Sequence, residues 1–81
     1  MYFVYLAQCE DGSIYTGITT DVARRLKQHQ EKKGGSYTRS HAVKKIVRTE
    51  RFRTKGRALK REAQIKRLPR EKKLELVRSS E

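Results

Sequence analysis

The sequence predicts an α+β domain, with a small, three-stranded, mostly antiparallel sheet flanked by helices in the order β-β-α-β-α-α. Three observations predict it. Two short runs of alternating bulky residues flank Asp11-Gly12, a strong short-range hairpin signal because the turn needs positive φ and Gly supplies it. A later run, Val43 to Phe52, is centred on β-branched residues and reads as a third strand. The segments after Thr54 and after Pro69 read as helices, each opened by a residue suited to a helix start.

Each element has its own signal. Residues 2–9 alternate as a strand does, and Ile14 to Ile18 reads as the hairpin partner. Thr20 or Asp21 can cap a helix from Val22 to about Glu31, and Asp21 also suits the positive end of the helix dipole. Gly34-Gly35 ends that helix in a loop running to His41, with Ser36, Thr38 and Ser40 as turn formers. Thr54 caps a helix from about Lys55 to Arg67. Leu68-Pro69 breaks the chain, and Pro69 suits the first position of a last helix reaching Val77 or Arg78.

Eighty-one residues are read as a single domain, 1–81, with a thin core. No apolar run approaches the roughly 18 residues of a membrane span, and Met-Tyr-Phe-Val lacks the basic lead of a signal peptide. The single cysteine, Cys9, excludes an intramolecular disulfide and cysteine-based zinc ligation and fits a reducing, cytoplasmic setting. Charge is divided sharply. Of the net +12, residues 1–23 carry −3 from Glu10, Asp11 and Asp21, and residues 24–81 carry +15. A polyanion is the natural partner, because each phosphate neutralised by Lys or Arg releases counterions. Nucleic acid is preferred to acidic membrane, since the basic helices lack the bulky aromatic face of interfacial anchors.

Polar residues intrude on two apolar helical faces. In the helix after Thr54 the apolar stripe is read as Ala58, Leu59, Ala63 and Ile65, with Glu62 in its midst and Lys66 beside it. Arg57, Lys60, Arg61 and Arg67 take the opposite, solvated face. A carboxylate on the core side is costly unless it is paired or binds a cation; the plain alternative is a Glu62–Lys66 helix pair. In the first helix, Val22 and Leu26 mark the apolar face, His29 lies within it and Arg25 sits at its edge. The plain alternatives there are a satisfied core histidine and a snorkelling arginine. Tyr5 and Tyr15 end the two hairpin runs with nine residues between them, and Arg25 follows the second tyrosine by ten positions. Tyr5, Tyr15, Arg25, His29 and Glu62 converging on one cleft would supply the groups needed to hydrolyse a phosphodiester.

These residues resemble the GIY-YIG nuclease domain. Phe3-Val4-Tyr5 and Tyr15-Thr16-Gly17 match its two tripeptides, Val22 to His29 its arginine-bearing helix, and Ala58 to Lys66 its glutamate segment. The resemblance spans nearly the whole chain and is closest to small standalone bacterial proteins similar to the Slx1-type endonuclease domain. It implies hydrolysis with one divalent ion, Mg²⁺ or Mn²⁺, held by Glu62. It further implies that Tyr5, alone or with His29, takes the proton of the attacking water, while Arg25 and Tyr15 position the phosphate. An unperturbed tyrosine titrates near 10, so Tyr5 acts as a base only where cations such as Arg25 or the metal stabilise its phenolate. The sequence departs from the family pattern at Phe3, in place of glycine, and at Thr16, in place of isoleucine, and it contains no asparagine.

Three functions are consistent with this sequence. The first is a metal-dependent endonuclease acting on DNA, with branched DNA and a role in repair or recombination suggested by its relatives. The second is a nucleic-acid-binding module with the same fold and little catalysis, using Tyr37, Arg39 and Lys66 as stacking or phosphate contacts. The third, a basic ribosome-associated or structural protein, explains the charge but leaves Glu62 and the tyrosine pair without a role.

Overall fold

Asp11 and Gly12 close the hairpin between β1 (Tyr2–Cys9) and β2 (Ile14–Thr19). Gly12 takes φ 87°, a left-handed conformation that costs glycine little. The Asp11 carboxylate accepts from the Ser13 amide at 2.9 Å and the Ser13 hydroxyl at 2.6 Å, an Asx-type closure. The computed structural model describes residues 1–30 and 43–79, and the further elements are α1 (Val22–Gln30), β3 (Val43–Phe52), α2 (Lys55–Arg67) and α3 (Arg70–Ser79). The sheet is antiparallel throughout, in spatial order β2-β1-β3. The expected α+β order is the observed one.

The caps follow the expected chemistry. Asp21 receives the Arg24 amide at 3.0 Å, and Thr54 receives the Arg57 amide at 3.3 Å. Pro69 stands one place earlier than expected, just before α3, with its carbonyl accepting from the Lys72 and Lys73 amides at 3.0 and 3.2 Å. Proline lacks only the N–H, so its carbonyl still serves as the first acceptor of the helix. The Arg70 guanidinium donates to the Gly12 carbonyl at 2.9 Å and joins α3 to the hairpin turn. The expected end of α1 at Glu31 and the loop to His41 lie outside the described residues.

Alternation along β1 sorts the molecule into two faces. Val4 and Leu6 form one buried cluster with Ala58 and Ile65 of α2, joined by Ile14, Ile18, Val47, Phe52, Leu76 and Val77. Tyr5, Ala7 and Cys9 form the other with Val43, joined by Tyr15, Leu26 and Ile46. Thus α1 covers one face of the sheet, and α2 and α3 cover the other. Thr16, opposite Leu6, is buried with its hydroxyl unpartnered among the described residues.

Two expectations for α2 are corrected. Leu59 is 43% exposed and Ala63 is exposed, while Ala58, Ile65 and, in part, Arg61 and Glu62 face inward. The seven-residue step from Ala58 to Ile65 fixes the buried line, and a residue one position beyond Ala58 turns away from it. Arg61 is not on the solvated face, because Glu50 of β3 draws it in. Its Nε lies 2.7 Å from Glu50 Oε1, and its Nη2 donates to Oε2 at 3.1 Å. Arg48 Nε lies 2.9 Å from Oε2 of the same carboxylate, and Arg48 Nη1 also donates to the Leu76 carbonyl at 3.2 Å. The two arginines hold the Glu50 carboxyl below its usual range, Arg61 most strongly. One carboxylate thereby ties β3 to α2 directly and to α3 through Arg48.

Candidate active site

Tyr5 sits on the central strand directly opposite Gly17. A methyl group at Gly17 would lie 2.6 Å from Tyr5 Cζ and 2.9 Å from Cε1. The phenol therefore lies flat across the backbone of β2, and glycine is what lets it do so.

At the far end of that ring, Tyr5 Oη lies 2.8 Å from His29 Nε2, and Arg25 Nε donates to the same oxygen at 3.4 Å. Arg25 and His29 are four residues apart on α1 and therefore lie one turn apart on the same face. Tyr15, one pleat along β2, completes the group. Its ring meets His29 edge-on, centroids 5.3 Å apart, and lies 6.1 Å from the Tyr5 ring. Arg25 is braced by Gln28, whose Oε1 accepts from Nη1 at 3.2 Å.

The electrostatics follow from burial. Loss of hydration pushes the Tyr5 phenol up to about 12, although the Arg25 hydrogen bond pulls the other way. Burial outweighs the cation, so the phenol is protonated at neutral pH. His29 is lowered by burial first and by the Arg25 charge second, and is neutral at that pH. Its Nδ1 is buried and has no hydrogen-bond partner among the described residues. The Arg25 guanidinium is raised, chiefly by its hydrogen bond to Tyr5.

Four of the five residues expected in one cleft are brought together: Tyr5, Tyr15, Arg25 and His29. Glu62 lies on α2, which packs on the opposite face of the sheet, against β1 and β2. Its ion pair is with Lys66, Nζ to Oε2, at 3.7 Å. Among the described residues no group of three His, Cys, Asp or Glu side chains gathers around a metal position. Glu62 offers one carboxylate that is only 16% exposed. A hard, strongly hydrated ion such as Mg²⁺ uses one or two carboxylates and completes its shell with water and substrate phosphate, so the donor chemistry fits. Tyr37 and Arg39 lie outside the described residues. Sequence reasoning missed two contributors. Gln28 stands at the i+3 position from Arg25, which was a readable signal. Glycine at position 17 was noted only as part of a tripeptide, not as the surface under the phenol.

A small antiparallel sheet carrying a paired-tyrosine and arginine cluster on one face is the arrangement expected of a GIY-YIG-type domain. The chain belongs to the GIY-YIG family: the model of the GIY-YIG catalytic domain matches residues 1–75. It is 46% identical over 76 residues to UPF0213 protein BH0048 of Halalkalibacterium halodurans, covering 94% of this chain and 81% of that one. It is 45% identical to UPF0213 protein HQ_3675A of Haloquadratum walsbyi, covering 94% and 85%. Among solved structures, the solution structure of BH0048 from Bacillus halodurans superposes with a TM-score of 0.61 over 95% of this chain and 83% of that one, at 46% identity. That of EF2693 from E. faecalis gives 0.64 over 96% and 83%, at 37% identity. Among the described residues no helix is long and apolar enough to cross a membrane.

Proposed function

We propose that this protein hydrolyses phosphodiester bonds in nucleic acid, with Tyr5 and His29 acting as a proton relay. The observation that carries this reading is the 2.8 Å contact between Tyr5 Oη and His29 Nε2, with Arg25 on the same oxygen. A phenol pushed up to about 12 does not stand as a phenolate at neutral pH. It can still take a proton from water if it passes its own onward in the same step. With its single proton on Nδ1, the neutral His29 ring presents Nε2 as the acceptor. The water O–H bond breaks toward Tyr5 Oη, and the phenolic proton moves to His29 Nε2. The new hydroxyl oxygen bonds to phosphorus as the leaving oxygen departs. Arg25 steadies the charge that builds on the phenol oxygen, and Tyr15 with Arg25 orients the phosphate.

Glu62 would hold a divalent ion, Mg²⁺ or Mn²⁺, on the α2 side of the sheet, where it would polarise a phosphate oxygen of a strand that passes round the sheet edge from the tyrosine face. The strongly basic residues 24–81 supply affinity for the nucleic-acid backbone. We take DNA as the substrate, with branched DNA the form to test first, and place the activity in repair or recombination in the cytoplasm.

The test is to incubate labelled branched and linear DNA with Mg²⁺ or Mn²⁺ and the protein, beside Tyr5→Phe, Arg25→Ala and Glu62→Ala. Loss of about 10²–10⁴ in rate is expected for Tyr5→Phe. No cutting of any substrate, or cutting that survives Glu62→Ala, would overturn the reading. Nitrogen NMR of His29 that finds the proton on Nε2 would overturn the relay alone.

A further inference from the structure

The sheet face that carries Tyr5 continues past α1, and there it presents Phe3. Two residues before Tyr5 on β1, Phe3 points to the same face, about 7 Å along the strand. It is only half buried and joins neither apolar cluster among the described residues. Its neighbours across the sheet are Thr19 on β2 and Arg51 on β3. Arg51 is exposed and makes no ion pair or side-chain hydrogen bond among the described residues. Thr49, opposite Tyr5 on β3, is exposed as well. An aromatic ring flanked by hydroxyls and an exposed guanidinium, beside the phenol cluster, is a poor core element. It is well suited to a nucleotide.

We infer that Phe3 and Arg51 form a docking platform for the nucleotide next to the scissile phosphate, presented as an unpaired strand. This rests on the nuclease reading above. The base stacks on the Phe3 ring, and Arg51 meets the phosphate that follows it. Charge complementarity selects this occupant: the chain carries +12, and β3 ends on this face in a cation with no carboxylate partner among the described residues. A paired base shows its flat face only to its stacked neighbours, so the platform favours flaps, ends and junctions over continuous duplex. That gives a physical reason for a preference among substrates.

The experiment is titration of a single-stranded oligonucleotide carrying 2-aminopurine, moved one position at a time, with EDTA present so that nothing is cut. The wild-type protein is expected to quench fluorescence at one position. Phe3→Leu is expected to remove that quench and weaken binding about tenfold, while Phe3→Tyr retains both. Arg51→Gln is expected to weaken binding and reduce the salt slope by about one. Wild-type binding without a position-specific quench, or Phe3→Leu binding and quenching as wild type does, would overturn the platform while leaving the nuclease reading intact. If Phe3→Leu does not fold, the wild-type, Phe3→Tyr and Arg51→Gln arms still decide. Wild-type protein that fails to bind any nucleic acid would overturn both.

Discussion

Tyr5 and Gly17 face each other across β1 and β2, and the phenol of one occupies the space that a side chain on the other would fill. The two halves of the family motif are thus one steric unit. Tyr5 reaches His29 and Arg25 because position 17 has nothing to hold it off.

Gly17→Ala is therefore expected to damage the site before it damages the fold. A methyl group within 3 Å of two ring carbons and the phenol oxygen forces the phenol to shift, at about 1–3 kcal/mol for an overpacked site. A displacement of even 1 Å at the phenol oxygen costs about 10² in rate. Cleavage rate and melting temperature measured on the same variant check this; unchanged cleavage would show that Tyr5 need not lie over Gly17.

Acid should weaken the fold through His29. Its folded pKa lies below the ordinary value of about 6.5, so below that pH the unfolded chain binds the proton first. Stability from this group is full above about 6.5 and is lost as pH falls through the folded value. Melting temperatures measured from pH 8 to 5 should decline in the wild type and decline less in His29→Gln. Cleavage should fall over the same acidic range, because a protonated His29 accepts no proton from Tyr5.

Glu50 gives a separate acid effect at lower pH. Its pKa is lowered, first by the Arg61 hydrogen bond, so its stabilisation is present above about 4.5 and fades as pH falls through the folded value. Glu50→Gln leaves two part-buried guanidinium groups without their anion and should cost about 1–3 kcal/mol. For a chain of this size each kcal/mol is a fall of about 4–8 °C in melting temperature. A drop under 2 °C would show that the three-way tie is solvated rather than structural.

Thr16 offers a change in the opposite direction. Its hydroxyl is buried without a partner among the described residues, and valine has the same shape with a methyl group in its place. Thr16→Val should stabilise by about 1 kcal/mol, read as a higher denaturant midpoint at unchanged slope.

Binding should depend steeply on salt. With about six phosphates neutralised, affinity falls roughly a thousandfold between 50 and 200 mM salt. A flat response in a filter-binding or anisotropy series would remove the basic residues from the interface.

Most of the fold was legible because its signals are local. Asp11-Gly12 set the hairpin, Thr54 and Asp21 set helix starts, and β-branched residues marked β3. The grouping of Tyr5, Tyr15, Arg25 and His29 was legible for a related reason. Two tyrosines on paired strands and two polar residues four apart on the next helix are placed by short-range geometry. What escaped depends on contacts distant in sequence. Arg61 turns inward only because Glu50, eleven residues earlier, faces α2 from β3. The side of the sheet on which Glu62 rests is set by how α2 crosses over, which periodicity within the helix does not encode. Leu59 was misplaced because hydrophobicity alone cannot say where a stripe ends.

The strand order has a consequence for how the chain is made. β1 is translated first yet ends in the middle of the sheet, paired with β2 on one side and β3 on the other. Until residue 52 has left the ribosome, the nascent hairpin carries a bare edge on its most apolar strand. That edge is open to any other strand it meets, including a second nascent copy. The ten-residue β3, with Lys44 and Lys45 exposed, covers it and leaves a charged strand outermost, so the finished protein no longer shows the edge most prone to misassociation.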